Sequence, residues 1–356
     1  MRILILALSG IGDALMFTPA ISLMRKVLPD SVIDALVMFK GAEEIYKRNE
    51  HLNNVHYFDF VNKSRLSSLK FILRLKGKYD ASINVYPSNR KEYNIINFLL
   101  RAKKRAAVRY LRMDSKELGY LNNIRITEDD SLHNVQTNIK ICEKLLNIKF
   151  DEEPDLYFPL TAADEKFAQD FLRELNISAN DLLIGFHPGC ATLKNHIRRR
   201  WEPEKFAELG KRLIKNFNSK ILIFGGPDEE ELKKNICRMI DSPYAFTVSK
   251  GSLTENAAVM KSCKVFVSND SSLMHVAAAL KLKVVSIIGP TNINYIHPWH
   301  TEYKTVSLQL ECSPCFIYSP RPLICFRDDI KFKCIKELDA EMVYNAAVDF
   351  LMNKSE

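Results

Sequence analysis

The stretch that decides the fold is Lys264–Thr291, KVFVSNDSSLMHVAAALKLKVVSIIGPT. Val265–Val267 is a short β-branched and aromatic run, which predicts a strand. Asn269-Asp270-Ser271-Ser272 is dense in residues that cap helices, and the Ala-rich Leu273–Leu280 predicts a compact helix. Val284–Ile288 reads as a second buried strand, closed by Gly289-Pro290-Thr291. Strand, helix and strand make one βαβ unit, the building block of a parallel sheet. Such a unit turns polar side chains and free N–H donors toward one sheet end, where a phosphate is the simplest ligand.

Working outward, the same alternation continues in both directions. Arg2–Leu8 reads as a first buried strand, followed by Ser9-Gly10-Ile11-Gly12-Asp13 as a tight loop, Thr18-Pro19 as a helix start, and Ser31–Met38 as a second strand. The spacing is not the dinucleotide fingerprint, because Leu15 stands where its third glycine belongs. Asp13 is therefore either a helix cap or a carboxylate offered at a strand end. Further strands are expected at Val55–Phe58, Ala81–Val85, Ala106–Val108, Leu182–Phe186 and Lys220–Phe224. The acidic, proline-containing stretch Phe150–Pro159 is the best linker. This predicts domains at 1–160 and 161–338, followed by a helix in 339–356.

Composition supports this reading. A chain of 356 residues exceeds what one core normally holds. A hydrophobic content of 47% with 26% charged residues suits an ordinary globular protein. No apolar run reaches the roughly 20 residues of a membrane span. Arg2–Leu8 runs into a glycine turn rather than a cleavage site, so a cytoplasmic location is expected and the eight cysteines argue against a disulfide framework. The net charge of +8 is unevenly spread: between Val61 and Arg112, 14 Lys and Arg stand against only Asp80 and Glu92, an excess of 12. That excess predicts an anionic partner: nucleic acid, an acidic membrane face or a phosphorylated glycolipid.

Three further stretches carry chemistry. The loop His187-Pro188-Gly189-Cys190-Ala191-Thr192 runs into the basic Lys194–Arg200 and then Trp201. Gly225-Gly226-Pro227-Asp228-Glu229 follows a strand and offers an acid suited to ribose hydroxyls. Cys312, Cys315, Cys325 and Cys334 have the spacing C-x2-C-x9-C-x8-C, which suits a structural zinc or iron held by thiolates, free thiols being the plainer alternative.

NDSSLMH before a strand and GPT resembles the donor segment of glycosyltransferase family 9, the bacterial heptosyltransferases, with Ser272 where that family usually has Gly. Gly10-x-Gly12-Asp13 before Thr18-Pro19 resembles its opening, and Arg199 stands where the family has a Lys two residues before Trp201. The resemblance spans nearly the whole chain. It implies an α/β fold of GT-B architecture, two doubly wound Rossmann-like domains facing across a cleft, with acceptor binding in the first, nucleotide-sugar binding in the second, and the helix in 339–356 packing back on the first.

The resemblance also implies an inverting, metal-independent transferase that moves heptose from ADP-heptose to an anionic lipopolysaccharide precursor. It would work at the inner face of the inner membrane, with no nucleic-acid partner and no catalytic cofactor. Asp13 would be the general base and Arg199 the group facing the leaving diphosphate. Gly12, Thr192, Arg200, Glu229, Asp270, Ser271, Ser272, Leu273 and His275 would bind the donor. Lys103, Lys104 and Arg105 are expected to meet the acceptor or the membrane. Two other readings share the architecture: a sugar-nucleotide 2-epimerase, and a nucleotide-sugar-binding scaffold without activity.

Overall fold

The computed structural model describes residues 1–352. The chain divides into two compact units, one comprising Met1–Pro159 with Ile317–Pro320, the other running Leu160–Phe316 and resuming at Arg321.

The first unit is built on strands β1 (Arg2–Ala7), β2 (Val32–Val37), β3 (Asn54–Tyr57), β4 (Ala81–Asn84), β5 (Lys104–Arg109) and β6 (Ile124–Thr127). Its helices are α1 (Ile11–Met16), α2 (Thr18–Val27), α3 (Lys40–Lys47), α4 (Arg65–Leu75), α5 (Lys91–Leu99) and α6 (Asn134–Leu146). All neighbouring strands are parallel and the order is β3-β2-β1-β4-β5-β6. The chain reverses its direction of winding between β1 and β4, and open α/β sheets bind ligands outside the carboxyl ends of strands at such a point. Helices on both faces bury the central strands: Ile3, Leu4 and Ile5 have no exposure at all. That explains why β1 reads as a continuous apolar run rather than an alternating one.

The second unit repeats the plan. Its strands are β7 (Leu183–His187), β8 (Lys220–Ile223), β9 (Ala245–Thr247), β10 (Val265–Asn269), β11 (Lys283–Ile287) and β12 (Tyr303–Val306). Its helices are α7 (Ala162–Glu174), α8 (Pro203–Phe217), α9 (Glu230–Ile240), α10 (Leu253–Met260), α11 (Ser272–Ala279), α12 (Ile293–Ile296), α13 (Lys333–Lys336) and α14 (Ala340–Met352). The order β12-β11-β10-β7-β8-β9 is the first sheet's order read from the other side, again fully parallel, so its reversal falls between β7 and β10. β10, α11 and β11 are the βαβ unit expected from Lys264–Thr291.

One expectation is corrected here. The C-terminal helix was expected to return to the first domain. Instead α14 packs on α8, β10, β11 and β12, and Val343, Ala347 and Phe350 join the core of the second unit beside Trp201. The indole N–H of Trp201 donates to the Leu338 carbonyl at 2.8 Å and fixes the approach to that helix. Residues 353–356 of the expected segment lie outside the described residues. The short stretch that does belong to the first unit is Ile317–Pro320, where Tyr318 packs edge-on against Tyr86 and bonds Asn134. Among the described residues no helix is long and apolar enough to cross a membrane.

Candidate active site

In the first unit the carboxyl edge at the β1–β4 reversal carries Asp13. The expected tight loop is in fact the first turn of α1, with Gly12 buried inside it. Asp13 is the third residue of that helix, and its Oδ2 accepts the Gly10 N–H at 2.9 Å. A methyl group on Gly10 would sit 3.3 Å from that oxygen, so glycine leaves the carboxylate its room. Around Asp13 stand tyrosines. Tyr46 donates its hydroxyl to the Ala14 carbonyl at 2.8 Å. Burial, and secondarily the Asp13 charge, holds the Tyr46 hydroxyl well above the ordinary phenol range. Tyr93 and Tyr110 are pushed the same way, again by burial first. The loop after β4 completes the edge: the Ser9 hydroxyl donates to the Pro87 carbonyl, and the Ser88 N–H to the Tyr110 hydroxyl.

The second unit gathers the expected donor residues at its own reversal. β7 ends in His187 and β10 ends in Asn269, side by side in the sheet. Arg199 and Asp270 form a buried ion pair at 2.5 Å. Thr291, at the end of the β11 loop, donates its hydroxyl to the same Asp270 oxygen at 2.6 Å. Phe316 lies under the Arg199 guanidinium at 5.3 Å. His275 is buried against this pair. Burial lowers its pKa to about 4, only partly offset by Asp270, and its Nδ1 has no hydrogen-bond partner. His196, beside Arg199, is likewise pushed down to about 4 by burial and then by the charges of Arg199 and Lys194.

Ser271 occupies the N-cap of α11 without capping it. Its hydroxyl is 2.7 Å from His187 Nδ1 and 3.1 Å from the Ser268 hydroxyl. The Ser271 side chain makes no cap bond to the N–H groups of the first turn, Ser272 and Leu273 included, and such a helix start suits an anion. On its other edge His187 holds Glu229, Nε2 to Oε2 at 3.1 Å. Glu229 also takes Arg200 at 2.9 Å and the Gly226 N–H at 3.0 Å. Burial opposes its charge, yet these donors, led by His187, keep its carboxyl below the ordinary range. Gly189 makes this possible: a Cβ there would lie 1.8 Å from Glu229 Oε1.

The structure thus brings Arg199, Arg200, Glu229, Asp270, Ser271 and His275 into one connected edge of the second sheet. Thr192 stands on the same loop, exposed at the start of a 3₁₀ turn, and Asp13 with Gly12 belongs to the first unit. Arg198, the other candidate in the basic run, is exposed over the Phe332 ring. Two residues outside the expected site prove central. His187 bridges Ser271 and Glu229 across the β7–β10 reversal. Asn269 ties the loops together, accepting the Trp201 N–H at 3.1 Å and donating to the Pro188 carbonyl at 2.7 Å. Both stand in loops the sequence singled out, as polar residues at strand ends, but nothing local gave either a role.

The expected acceptor or membrane cations lie elsewhere: Arg105 spends its guanidinium within the chain, donating to the Leu121 and Ala102 carbonyls at 2.9 and 2.8 Å. Lys103 and Lys104 are exposed, but at the amino end of β5, the opposite edge of the sheet from Asp13. The four C-terminal cysteines, the expected thiolate set, lie in the loop before α13 and in α13 itself. Among the described residues no group of three or more His, Cys, Asp or Glu side chains could hold a metal ion. The thiols are neighbours nonetheless. Burial and then the other three push Cys334 up to about 11, and Cys312 and Cys325 add to the effect of burial on Cys315. Cys312 takes a bond from Arg327 and Cys325 one from the Phe332 N–H.

Comparisons with known proteins bear on the fold and the family. Residues 68–321, more than half of the chain, match the family Glycosyltransferase family 9 (heptosyltransferase). Lipooligosaccharide heptosyltransferase 2 of Campylobacter jejuni is 25% identical over 364 residues, covering 99% of each chain. The crystal structure of a family 9 glycosyltransferase from Veillonella parvula superposes with a TM-score of 0.75 at 23% identity, over 99% of this chain and 97% of that one. Escherichia coli heptosyltransferase WaaC with ADP gives a TM-score of 0.66 at 21% identity, over 98% of this chain and all of that one (100%). A two-unit α/β fold shared with these structures and a family match over most of the chain lead to one conclusion: this protein belongs to glycosyltransferase family 9 and is a glycosyltransferase.

Proposed function

We propose that the protein transfers heptose from ADP-heptose to a hydroxyl of an anionic lipopolysaccharide precursor, with inversion at the anomeric carbon, at the cytoplasmic face of the inner membrane. The observation that carries this reading is the linked set Arg199–Asp270–Thr291 and Ser271–His187–Glu229 at the open start of α11. Such an edge suits a nucleotide diphosphate: N–H donors and a guanidinium for phosphate, a carboxylate for ribose hydroxyls. A solved relative carrying ADP and a curated relative acting on lipooligosaccharide support the choice of donor and acceptor.

In this mechanism Asp13 takes the proton as the acceptor oxygen attacks the anomeric carbon. The bond from that carbon to the diphosphate breaks, and its electron pair leaves on the phosphate oxygen. One displacement inverts the configuration, so one carboxylate suffices. Arg199 and the first turn of α11 meet the developing negative charge. The chemistry draws on no catalytic metal. The test is a screen of ADP-, GDP- and UDP-sugars by calorimetry, followed by product analysis with and without acceptor. ADP-heptose should bind in preference, and sugar should appear on the acceptor only. A rearranged sugar nucleotide formed without acceptor would sink the reading, and so would binding with no turnover.

His187 offers a second check. His187→Ala removes a charge-assisted bond to Glu229 and lets the Ser271 hydroxyl turn to cap α11. The expected result is about tenfold weaker ADP binding, the size of one such bond. The donor KM should rise accordingly while kcat changes little. His187→Gln, which can still donate to Glu229, should recover part of the loss. An unchanged dissociation constant in His187→Ala would remove the residue from the donor site.

A further inference from the structure

Helix α4 is the crossover between β3 and β4. It buries Ile72 and Leu75, with Phe71 packed partly under them, in the first unit's core. The face turned away from that core should be polar. It is not. Leu66, Leu69 and Leu73 are 63%, 41% and 47% exposed. Their spacing of three and four residues lines them up as one stripe on the solvent side. By the 100° step of a helix, Arg65 flanks the stripe on one side, and Lys70 and Arg74 on the other. None of these three cations has a carboxylate within ion-pair distance among the described residues. No Asp or Glu occurs between Asp59 and Asp80 to supply one.

Three exposed leucines bordered by uncompensated cations are costly in water and suited to one kind of partner. A second copy of this chain would set the same cations against each other, with no acid on the face to balance them. An anionic bilayer satisfies both features at once: acyl chains for the leucines, phosphates for the cations. We propose that α4 is a membrane-docking helix that lies in the interface of an anionic bilayer, Leu66, Leu69 and Leu73 inward and Arg65, Lys70 and Arg74 at phosphate depth. The proposal extends the reading of a membrane-borne acceptor given above. It also relocates the membrane contact from Lys103–Arg105 to this helix. Lys103 stays close to its far end, since the Gly77 N–H that follows α4 bonds the Leu100 carbonyl at 2.9 Å.

The experiment is flotation of the full-length protein with vesicles of phosphatidylethanolamine and phosphatidylglycerol, against vesicles of phosphatidylcholine, with neither donor nor acceptor present. The wild type should float with the anionic vesicles only, and raised salt should weaken that binding. The variant Leu66→Ser/Leu69→Ser/Leu73→Ser should partition at least about tenfold less, because its lost burial is several methylene groups' worth. Its melting temperature should not fall, the side chains being exposed. In Leu69→Trp, tryptophan emission should shift to the blue on vesicle addition; Trp201 and Trp299, 1% and 4% exposed, contribute no such shift. Equal partition of wild type and triple variant, absence of wild-type binding, or a wild-type dimer that the triple variant abolishes would each overturn the proposal. Nucleotide binding measured on the same samples keeps this outcome separate: vesicle binding can fail while ADP binding stands.

Discussion

Asp13→Asn should fold and bind nucleotide like the wild type, and transfer about 10²–10⁴-fold more slowly, the contribution of a well-placed general base. The structure sharpens this expectation. Asp13 lies in the first turn of α1 and accepts the Gly10 N–H at 2.9 Å, so it does serve as a local cap. A carboxamide oxygen can accept the same bond. What Asn loses is the negative charge at a helix start, worth about 0.3–1 kcal/mol. The cap therefore predicts a melting temperature nearly unchanged and says nothing against activity. The base predicts activity lost at full stability. Asp13→Glu separates them further: it keeps charge and basicity but moves the oxygen by a methylene, away from Gly10 and out of register with the acceptor. It should recover only a small part of the rate. Full turnover in Asp13→Asn would leave Asp13 as a cap and nothing more.

Much of the fold was legible because both sheets are parallel and covered on both faces. Each central strand is then a short, continuous apolar run, and each edge is punctuated by glycine, proline or cap residues. β1, β7, β10 and β11 all announce themselves this way. The acidic and basic residues at the reversal of the second sheet were legible as residue types at strand ends. Their pairing was not. Ser271 reads locally as a helix cap, and only the fold brings His187, 84 residues away, to divert its hydroxyl. Gly10 and Gly12 read as a tight loop, yet Gly10 is the N-cap of a helix and bonds Asp13 in its first turn. α14 is apolar on one side whichever surface it covers. Its destination is set by the Trp201 anchor and by α8, neither visible from its own sequence. Arg105 counted as one charge among 14, but charge counting does not say which guanidiniums are spent on carbonyls within the chain.

Arg199 poses the same question in its sharpest form, because it is both buried and expected to act. Arg199→Ala should cost about 3–5 kcal/mol of stability, the penalty for stranding a buried carboxylate, since Asp270 would keep only Thr291. It should also slow transfer by roughly 10²–10³-fold, as loss of one donor to a developing oxyanion does. Loss of activity in that variant alone is ambiguous, because a collapsed edge would give it too. The double variant Arg199→Met/Asp270→Leu resolves this. A buried ion pair replaced by apolar groups of similar volume is often neutral or stabilising, so the melting temperature should return most of the way. Transfer should not return, because no guanidinium faces the leaving diphosphate. Arg199→Lys belongs between the two: it keeps the charge that the diphosphate needs but loses the planar fork that grips Asp270. The loss in Arg199→Lys should fall on kcat more than on nucleotide affinity, since the charge it meets is greatest as the glycosidic bond breaks. If the double variant melts like the wild type and turns over at a similar rate, Arg199 is a structural partner of Asp270, and the diphosphate is met by the α11 N–H groups and Arg198.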